Sequence, residues 1–172
     1  SYSHIYNLPT TGIRFFTVYG PWGRPDMAPM IFTKSIFENQ PINIFNYGKM
    51  IRDFTYIDDV VEGLIRCCYK PATIFPYKNS NILSPSISFA PYRIFNLGNS
   101  KPIKLMDFIN TLEKIIGLKA LKNFVEMSSM DVQITESDTS KLNDWIDFKP
   151  KTELEYGLRK FISWYKKYYE YK

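Results

Sequence analysis

The distribution of apolar and polar residues along the chain predicts strands that alternate with helices. An apolar run at 12–16 indicates a buried strand over 11–17, and the apolar residues of 92–98 indicate a second buried strand with its turn. Shorter extended segments are predicted at three other places, namely 41–45, 52–56 and 123–127. Strands that alternate with helices are typical of an α/β fold with parallel strands.

Helices are predicted where apolar residues recur three and four positions apart, because such residues share one helix face. Gly117 follows the segment 104–116 and is expected to end that helix in the left-handed conformation that glycine favours. The apolar face of this helix consists of Leu105, Phe108, Ile109, Leu112, Ile115 and Ile116. The apolar face of the final helix consists of Leu154, Leu158, Phe161, Ile162, Tyr165 and Tyr169.

A further helix is expected to begin at Asp58, which can cap it. Its predicted core-facing stripe consists of Val60, Val61, Leu64, Ile65 and Cys68. This stripe favours a buried, structural Cys68 over a redox thiol. Three shorter helices are predicted at 1–7, 30–39 and 138–144, the second with Ile31, Ile36 and Phe37 facing inward.

The segment 71–91 interrupts these patterns with four prolines, four serines and a single charge at Lys78. It is predicted to be a long loop, either a functional lid or a tolerated insertion, and we favour the insertion. The chain starts with Ser1, and residues 1–7 have the pattern of the last turns of a helix. We therefore expect the 172 residues to form one unit of a longer protein.

Composition and charge narrow the classes of function. Hydrophobic residues make up 45% and charged residues 23%, which is typical of a globular protein. The net charge of +5 is spread along the chain, with +3 of it in the tail 141–172, whereas nucleic-acid binders concentrate their basic residues. We therefore expect no nucleic-acid partner, although a mildly basic protein suits an anionic small substrate.

The cysteines and the single histidine exclude several kinds of site. Cys67 and Cys68 are adjacent, and neighbouring cysteines rarely form a disulfide with each other, so free thiols and a reducing, cytoplasmic location are expected. His4 is the only histidine, which argues against a histidine-based zinc site and a Ser-His-Asp triad. We predict no metal site and, without a run of 18 apolar residues, no membrane span.

The candidate chemistry lies directly after the first strand. The run 17–27, Thr-Val-Tyr-Gly-Pro-Trp-Gly-Arg-Pro-Asp-Met, combines a hydroxyl, a guanidinium and aromatic surface in a loop that glycine and proline punctuate. Open α/β sheets place their ligands at such strand-to-loop transitions. A second arginine, Arg52, precedes the predicted helix start. These groups together suit an anionic ligand that contains a ring.

Four segments of the sequence carry a family resemblance: 14–27, 45–59, 90–99 and 148–152. They resemble nucleotide-sugar epimerases of the extended short-chain dehydrogenase/reductase family, the NAD-dependent epimerases and dehydratases, in particular those that act on UDP-glucuronate. The resemblance implies the carboxyl-terminal part of a Rossmann-type doubly wound sheet plus a small α/β substrate-binding lobe, over 1–172. The family's glycine-rich loop and Tyr-x-x-x-Lys pair do not occur here, so they are expected upstream, in an amino-terminal NAD-binding half.

The activity that the resemblance implies is epimerisation of UDP-glucuronate to UDP-galacturonate, with NAD as cofactor and a 4-keto intermediate. Decarboxylation of UDP-glucuronate, 4,6-dehydration of a nucleotide sugar, and an inactive truncated remnant remain as alternatives. The implied partners are a UDP-sugar and the protein's own amino-terminal half, and a homodimer is left open. We expect no catalytic residue in this chain, and no activity from it alone.

The resemblance also assigns roles to individual residues near the first strand. Thr17 is expected to contact the sugar, where its hydroxyl suits a carboxylate oxygen, although it could instead bond to backbone. Arg24 is expected to pair with the sugar carboxylate. Phe16 matches a position beside the nicotinamide of NAD, although a strand-core role fits it equally well.

Further assignments concern the nucleotide. Three consecutive residues match the segment that holds uracil: Asn43, Ile44 and Phe45. Arg52 matches the diphosphate-binding arginine, the alternative being a salt bridge to a nearby aspartate, Asp53 or Asp58. Asp131 matches an aspartate that reaches the ribose, but the Pro-Gly that precedes it in the family is replaced here by Ser-Met.

Overall fold

In the computed structural model of the chain, the described residues are 1–75, 84–129 and 131–171. The helices are α1 (Tyr2–Tyr6), α2 (Ala28–Phe37), α3 (Ile57–Tyr69), α4 (Leu105–Ile116), α5 (Ser140–Ile146) and α6 (Leu154–Tyr168). The strands are β1 (Thr10–Phe15), β2 (Thr17–Tyr19), β3 (Pro41–Ile44), β4 (Ile51–Tyr56), β5 (Tyr92–Leu97), β6 (Pro102–Lys104) and β7 (Leu121–Phe124). A 3₁₀ turn at Phe45–Gly48 joins β3 to β4.

Parallel pairing dominates the strands, as an α/β fold requires. β1 runs parallel to β5, β2 runs parallel to β4, and β3 runs parallel to β7. β6 adds to the other edge of β4 in the antiparallel sense. The predicted α/β class is therefore confirmed, whereas the single strand predicted at 11–17 is divided at Phe16, where the chain changes its pairing partner.

The larger hydrophobic core forms where α2, α4 and α6 pack against β2, β3 and β4. The predicted apolar face of α4 is buried except for the partly buried Ile115, and Gly117 ends that helix with a φ of 83°. α6 contributes four fully or almost fully buried side chains, namely Leu158, Phe161, Ile162 and Tyr165. Phe108 of α4 stacks on Phe54 of β4 with ring centroids 4.3 Å apart, which links this core to the strand that carries Arg52.

A smaller core lies between α3, α5 and β5, and it corrects the predicted face of α3. The buried residues of α3 are Val60, Gly63 and Cys67, whereas Cys68 is exposed and the predicted burial of Cys68 is wrong. A Cβ on Gly63 would lie only 3.1 Å from Leu97, so α3 packs closely on β5 at a position that favours glycine. The prediction was based on large apolar residues and did not consider glycine. It therefore placed the buried face of α3 one residue further along the sequence than the structure does.

Several element ends also differ from the prediction. α3 begins at Ile57 with Tyr56 as its cap, so Asp58 lies in the first turn and does not cap the helix. Ile31 is largely exposed, β7 begins two residues before the predicted 123, and β6 was not predicted. The middle of the predicted 71–91 loop, 76–83, lies outside the described residues, so its prediction as an insertion stays a prediction.

Candidate functional site

A cavity of about 180 Å³ brings together five of the residues predicted to bind substrate. These are Thr17, Asn43, Phe45, Arg52 and Asp131. The cavity lies beside the start of β2, where Thr17 pairs with Phe54 of β4, and it is closed on another side by the first turn of α2. Residues from four separate parts of the sequence therefore converge on one mostly apolar pocket with a few polar groups, which is typical of a small-molecule site.

Arg52 is the cation of this cavity, and its guanidinium is already held. Its Nη2 lies 2.8 Å from Oδ1 of Asp131, and its Nη1 donates to the carbonyl oxygens of Ile51 (3.0 Å) and Gln133 (3.1 Å). The side chain is only 15% exposed. Its ion-pair partner is Asp131, so the alternative of a surface salt bridge to Asp53 or Asp58 is wrong.

The segment that carries Asp131 follows β4 like an extra strand. Ile51 N donates to the Gln133 carbonyl (3.0 Å), and Thr135 N donates to the Ile51 carbonyl (3.1 Å). Two residues further on, Ser137 N donates to the fully buried carboxylate of Asp53 (3.1 Å). This pairing explains how residues 79 positions apart in the sequence meet in one site.

Asp53 itself is an anchor inside the protein. Its carboxylate also accepts hydrogen bonds from the backbone N–H groups of Asn99 (3.1 Å) and Ser100 (3.0 Å) and from the hydroxyl of Ser137. A buried carboxylate is stable only when donors surround it in this way. Asp53 therefore ties β4 to the loops that follow β5 and precede α5, directly beside Arg52.

The predicted uracil segment presents two of its three side chains to the cavity. Asn43 and Phe45 line the cavity, and Oδ1 of Asn43 accepts a hydrogen bond from Asn123 Nδ2 (2.8 Å). Ile44 points the other way, as strand alternation requires, and is completely buried in the larger core. Its carbonyl already accepts a hydrogen bond from Val125 N (3.0 Å).

Phe16 and Arg24 line a second, adjoining depression of about 280 Å³ beside the 20–27 loop. Met27 lines both hollows, which places them next to each other. Arg24 is exposed, and its Nε lies 2.6 Å from Oδ1 of Asp26. The two predicted anion-binding arginines therefore lie in different places: Arg52 lines the cavity, and Arg24 lines the adjoining depression.

The 20–27 loop is held in shape by its own turns and by α6. Gly23 N donates to the Gly20 carbonyl (3.2 Å), and Gly20 has a φ of 142° that suits glycine. Trp22 has a φ of 62°, unusual for a bulky residue, and its ring packs against Trp164 (5.4 Å) and Tyr168 (5.1 Å) of α6. The loop that presents Arg24 is thus fastened to the final helix.

Two tyrosines near this depression are unsuited to act as bases. Burial raises the pKa of Tyr19 well above its ordinary value, with neighbouring Tyr56 and Asp59 adding to the effect. Burial also raises the pKa of Tyr56, aided by Asp58. Since both phenols stay protonated at neutral pH, neither supplies a base for proton abstraction.

Most of the apolar wall of the cavity was not predicted from the sequence. The unpredicted residues are Met27, Ala28, Phe32, Met50, Phe54 and Leu105. Phe32, Met50, Phe54 and Leu105 are themselves mostly buried, so in the sequence they look like ordinary core residues. Met27, Met50 and Phe54 do lie within the two segments, 14–27 and 45–59, that carry the family resemblance.

In the described part of the chain, no helix is both long and apolar enough to cross a membrane. Nor do three or more histidine, cysteine, aspartate or glutamate side chains gather there in a way that could hold a metal ion.

Comparison with known proteins gives consistent matches. The family described as "NAD dependent epimerase/dehydratase family" matches residues 1–82. Protein CapI of Staphylococcus aureus is 48% identical over 170 residues, which cover 99% of this chain and 51% of that protein. A probable UDP-glucuronate 4-epimerase of Rhizobium meliloti is 43% identical over 173 residues, covering 98% of this chain and 50% of the relative. The chain thus spans about half the length of these relatives.

A solved structure shows the same fold. UDP-glucuronic acid 4-epimerase from Bacillus cereus, in complex with UDP-glucuronic acid and NAD, superposes with a TM-score of 0.79 at 32% identity. The match covers 98% of this chain and 48% of that chain. It confirms the predicted Rossmann-type fold class. On these matches, the chain is similar over 1–82 to the NAD-dependent epimerase/dehydratase family, and over nearly its whole length to about half of each of these relatives.

Proposed function

We propose that this chain is the substrate-binding part of an NAD-dependent nucleotide-sugar epimerase that converts UDP-glucuronate to UDP-galacturonate through a 4-keto intermediate. The observation that carries the proposal is the convergence of Thr17, Asn43, Phe45, Arg52 and Asp131 on one cavity. Relatives named as UDP-glucuronate 4-epimerases support the choice of substrate.

The groups that line the cavity suit the nucleotide part of the substrate. A flat base suits the half-exposed ring of Phe45 and the amide of Asn43, both at the end of β3. The diphosphate suits the guanidinium of Arg52, whose planar fork binds phosphate oxygens well. The largely apolar remainder of the wall would exclude water from the bound nucleotide.

The sugar carboxylate would lie towards the second depression. Arg24 is the arginine on that depression, and it is exposed enough to exchange Asp26 for a ligand carboxylate. Thr17 stands at the start of β2 on the first cavity, within the same wall as Met27. A sugar that extends from one hollow to the other would therefore have a hydroxyl donor and a guanidinium available.

This chain offers a surface that suits only the nicotinamide end of the cofactor. Phe16, Val18 and Tyr19 give the second depression an apolar wall that suits a nicotinamide ring, whereas the sequence holds no glycine-rich loop for the cofactor's pyrophosphate. When bound, NAD would supply the oxidation and the re-reduction at C4. The residues of this chain would bind the UDP-sugar and keep water from its C4 position.

The remaining part of the enzyme would pack against β1. Within the described residues, β1 pairs with β5 alone, so its other edge has no strand beside it. The large apolar residues exposed around it are Tyr2, Ile5, Tyr6, Leu8 and Phe15. An unpaired edge flanked by apolar surface suits further parallel strands of an NAD-binding half that carries the Tyr-x-x-x-Lys pair.

Calorimetric titration of the chain with UDP-glucuronate tests the binding part of the proposal. We expect Arg52→Ala to weaken binding by about tenfold or more, since a charge-assisted contact to phosphate is lost. Arg159→Ala removes the same charge from an exposed pair on α6 and is expected to leave the affinity unchanged. Equal affinities for all three proteins would contradict the assignment of Arg52.

The reaction is tested by joining the chain to the part of the Staphylococcus aureus relative that it does not cover, and following the sugar by NMR with NAD⁺ present. Formation of UDP-galacturonate, lost in Arg24→Ala, is the expected result. Release of CO₂ with a UDP-pentose would assign a decarboxylase, and a 4-keto-6-deoxy sugar would assign a dehydratase. If the joined protein shows no turnover and no binding of the substrate, the chain is an inactive remnant.

A further inference from the structure

The cavity of the candidate site carries one ion pair, and that pair supplies both charges of its wall. Among its described lining residues, Arg52 is the one cation and Asp131 the one anion, with Nη2 and Oδ1 2.8 Å apart. The formal charge of the wall is therefore zero. A site for a diphosphate would bind its ligand more strongly with the cation alone, so the carboxylate calls for an explanation.

Asp131 is presented to Arg52 by ordered backbone. Val132 N donates to the same Oδ1 that contacts Arg52 (2.8 Å), and Arg52 Nη1 donates to the Gln133 carbonyl two residues further on. The hydrogen bonds between Ile51 and the Gln133 and Thr135 backbone hold this segment alongside β4. Because the Asp131 side chain is short and its Oδ1 also accepts from Val132 N, its carboxylate is held facing Arg52 in this structure.

We propose that Asp131 is a specificity-determining residue, which makes the cavity reject bare phosphate and diphosphate anions and accept them only as part of a nucleotide. This inference rests on the proposed function, because it concerns the ligand of the same site. The role proposed here is not the ribose contact expected from the sequence. It concerns the effect of the Asp131 carboxylate on anions that contain no ribose.

The physical basis is competition for one guanidinium. A phosphate that approaches Arg52 must share or replace the Asp131 contact, and it meets the repulsion of a like charge at short range. A nucleotide offsets this cost because its base buries apolar surface against residues such as Phe45 and Phe54. Inorganic pyrophosphate brings no apolar surface, so it has only the attraction of Arg52 to set against the repulsion.

The test compares inorganic pyrophosphate, UDP and uridine by calorimetric titration, in the unmodified chain and in Asp131→Asn. The asparagine keeps the shape of the side chain and removes its charge. We expect pyrophosphate affinity to rise about fivefold in the variant, the size of effect that one partly buried ion pair gives. The ratio of UDP affinity to pyrophosphate affinity should fall accordingly. Asp131→Ser provides a second neutral variant at this half-exposed position.

Glu62→Gln is the matched control, because it removes one negative charge from another partly exposed pair, Arg66–Glu62 on α3, outside the cavity. It should leave pyrophosphate affinity unchanged, and an equal gain would overturn the proposal in favour of a general charge effect. Unchanged or weaker pyrophosphate binding in both Asp131 variants would also overturn it, and weaker UDP and uridine binding would then assign a ribose contact.

Failure of this inference and failure of the proposed function give different results. If UDP binding depends on Arg52 while the Asp131 variants leave pyrophosphate affinity unchanged, only the role of Asp131 is wrong. If the unmodified chain does not bind UDP, or Arg52→Ala does not weaken that binding, the proposed site and the role of Asp131 both fall.

Discussion

The larger core and the region around β1 contain similar apolar residues but cover them very differently. In the larger core, Phe108 and Leu158 are completely buried by helices and strands of this chain. Around β1, Phe15 and Tyr6 leave 48% and 68% of their surface exposed. One side of the protein thus completes its own packing, and the other presents apolar surface.

The two regions correspond to two proposed roles, binding of the substrate and packing against the rest of the protein. The candidate cavity stands on the covered side, where Phe54 forms part of its wall and stacks on Phe108 of the core. Its geometry therefore depends on contacts within this chain. The exposed side holds no residue predicted to bind the UDP part of the substrate, and it is the surface that we propose for an NAD-binding half.

The largest effect is expected from a matched pair of phenylalanines. Phe108→Ala should lower the free energy of unfolding by about 3–5 kcal/mol, because it empties a closed core. Phe15→Ala should cost less than about 1 kcal/mol, because that ring is half exposed. Urea denaturation of both variants measures the two losses. Equal losses would mean that the region around β1 is as well packed as the larger core.

Glu113→Gln is expected to have the next largest effect. Glu113 is almost fully buried at the end of α4, and its carboxylate accepts from Lys122, from Lys119 (3.0 Å) and from Ala120 N (2.9 Å). Removing its charge leaves two ammonium groups without their partner, so we expect a loss of about 2 kcal/mol at neutral pH.

The pH dependence of this loss follows from the pKa of Glu113. Burial raises the pKa, but the bonds from Lys122, Ala120 N and Lys119 outweigh burial and lower it below its ordinary value. A lowered pKa means that the contribution is complete above the ordinary carboxyl pKa and is lost as the pH falls through the lowered one. The difference between the unmodified chain and Glu113→Gln should therefore shrink in acid, and a constant difference would rule out the charge as its cause.

A smaller effect is expected at the junction between the 20–27 loop and α6. Trp22→Ala removes the ring contacts to Trp164 and Tyr168 and should cost about 1 kcal/mol. Trp22→Phe keeps an aromatic ring in place and should retain most of that stability. Thermal denaturation compares the two variants. If the alanine variant proves as stable as the original, α6 does not fasten this loop.

The smallest effect on stability is expected on α1. Replacing Ile5 and Tyr6 together by serine should change the free energy of unfolding by less than about 0.5 kcal/mol, since both side chains are mostly exposed. The same change should reduce self-association at high concentration, because it removes part of an apolar patch. Sedimentation velocity measures association, and a large loss of stability would show that α1 packs more tightly than the structure describes.

Local patterns were reliable where one element carried its own signals. α4 was predicted from its spacing of apolar residues and from Gly117, and both features act within a single helix. The pattern failed for α3, because the face that packs closest was chosen by the fit of Gly63 against Leu97. It also missed the break at Phe16, since the sequence there stays apolar while the pairing changes from β5 to β4.

The sequence by itself determined the chemistry available to the site: a threonine, two arginines, an asparagine, an aromatic ring and an aspartate in recognisable segments. The tertiary structure decided which of these groups meet. It placed Arg52 against Asp131, turned Ile44 into the core and put Arg24 in a neighbouring hollow. The physical reason is that residue types and spacing act over a few positions of the chain, whereas an ion pair across 79 residues exists only once the segment around Gln133 lies along β4.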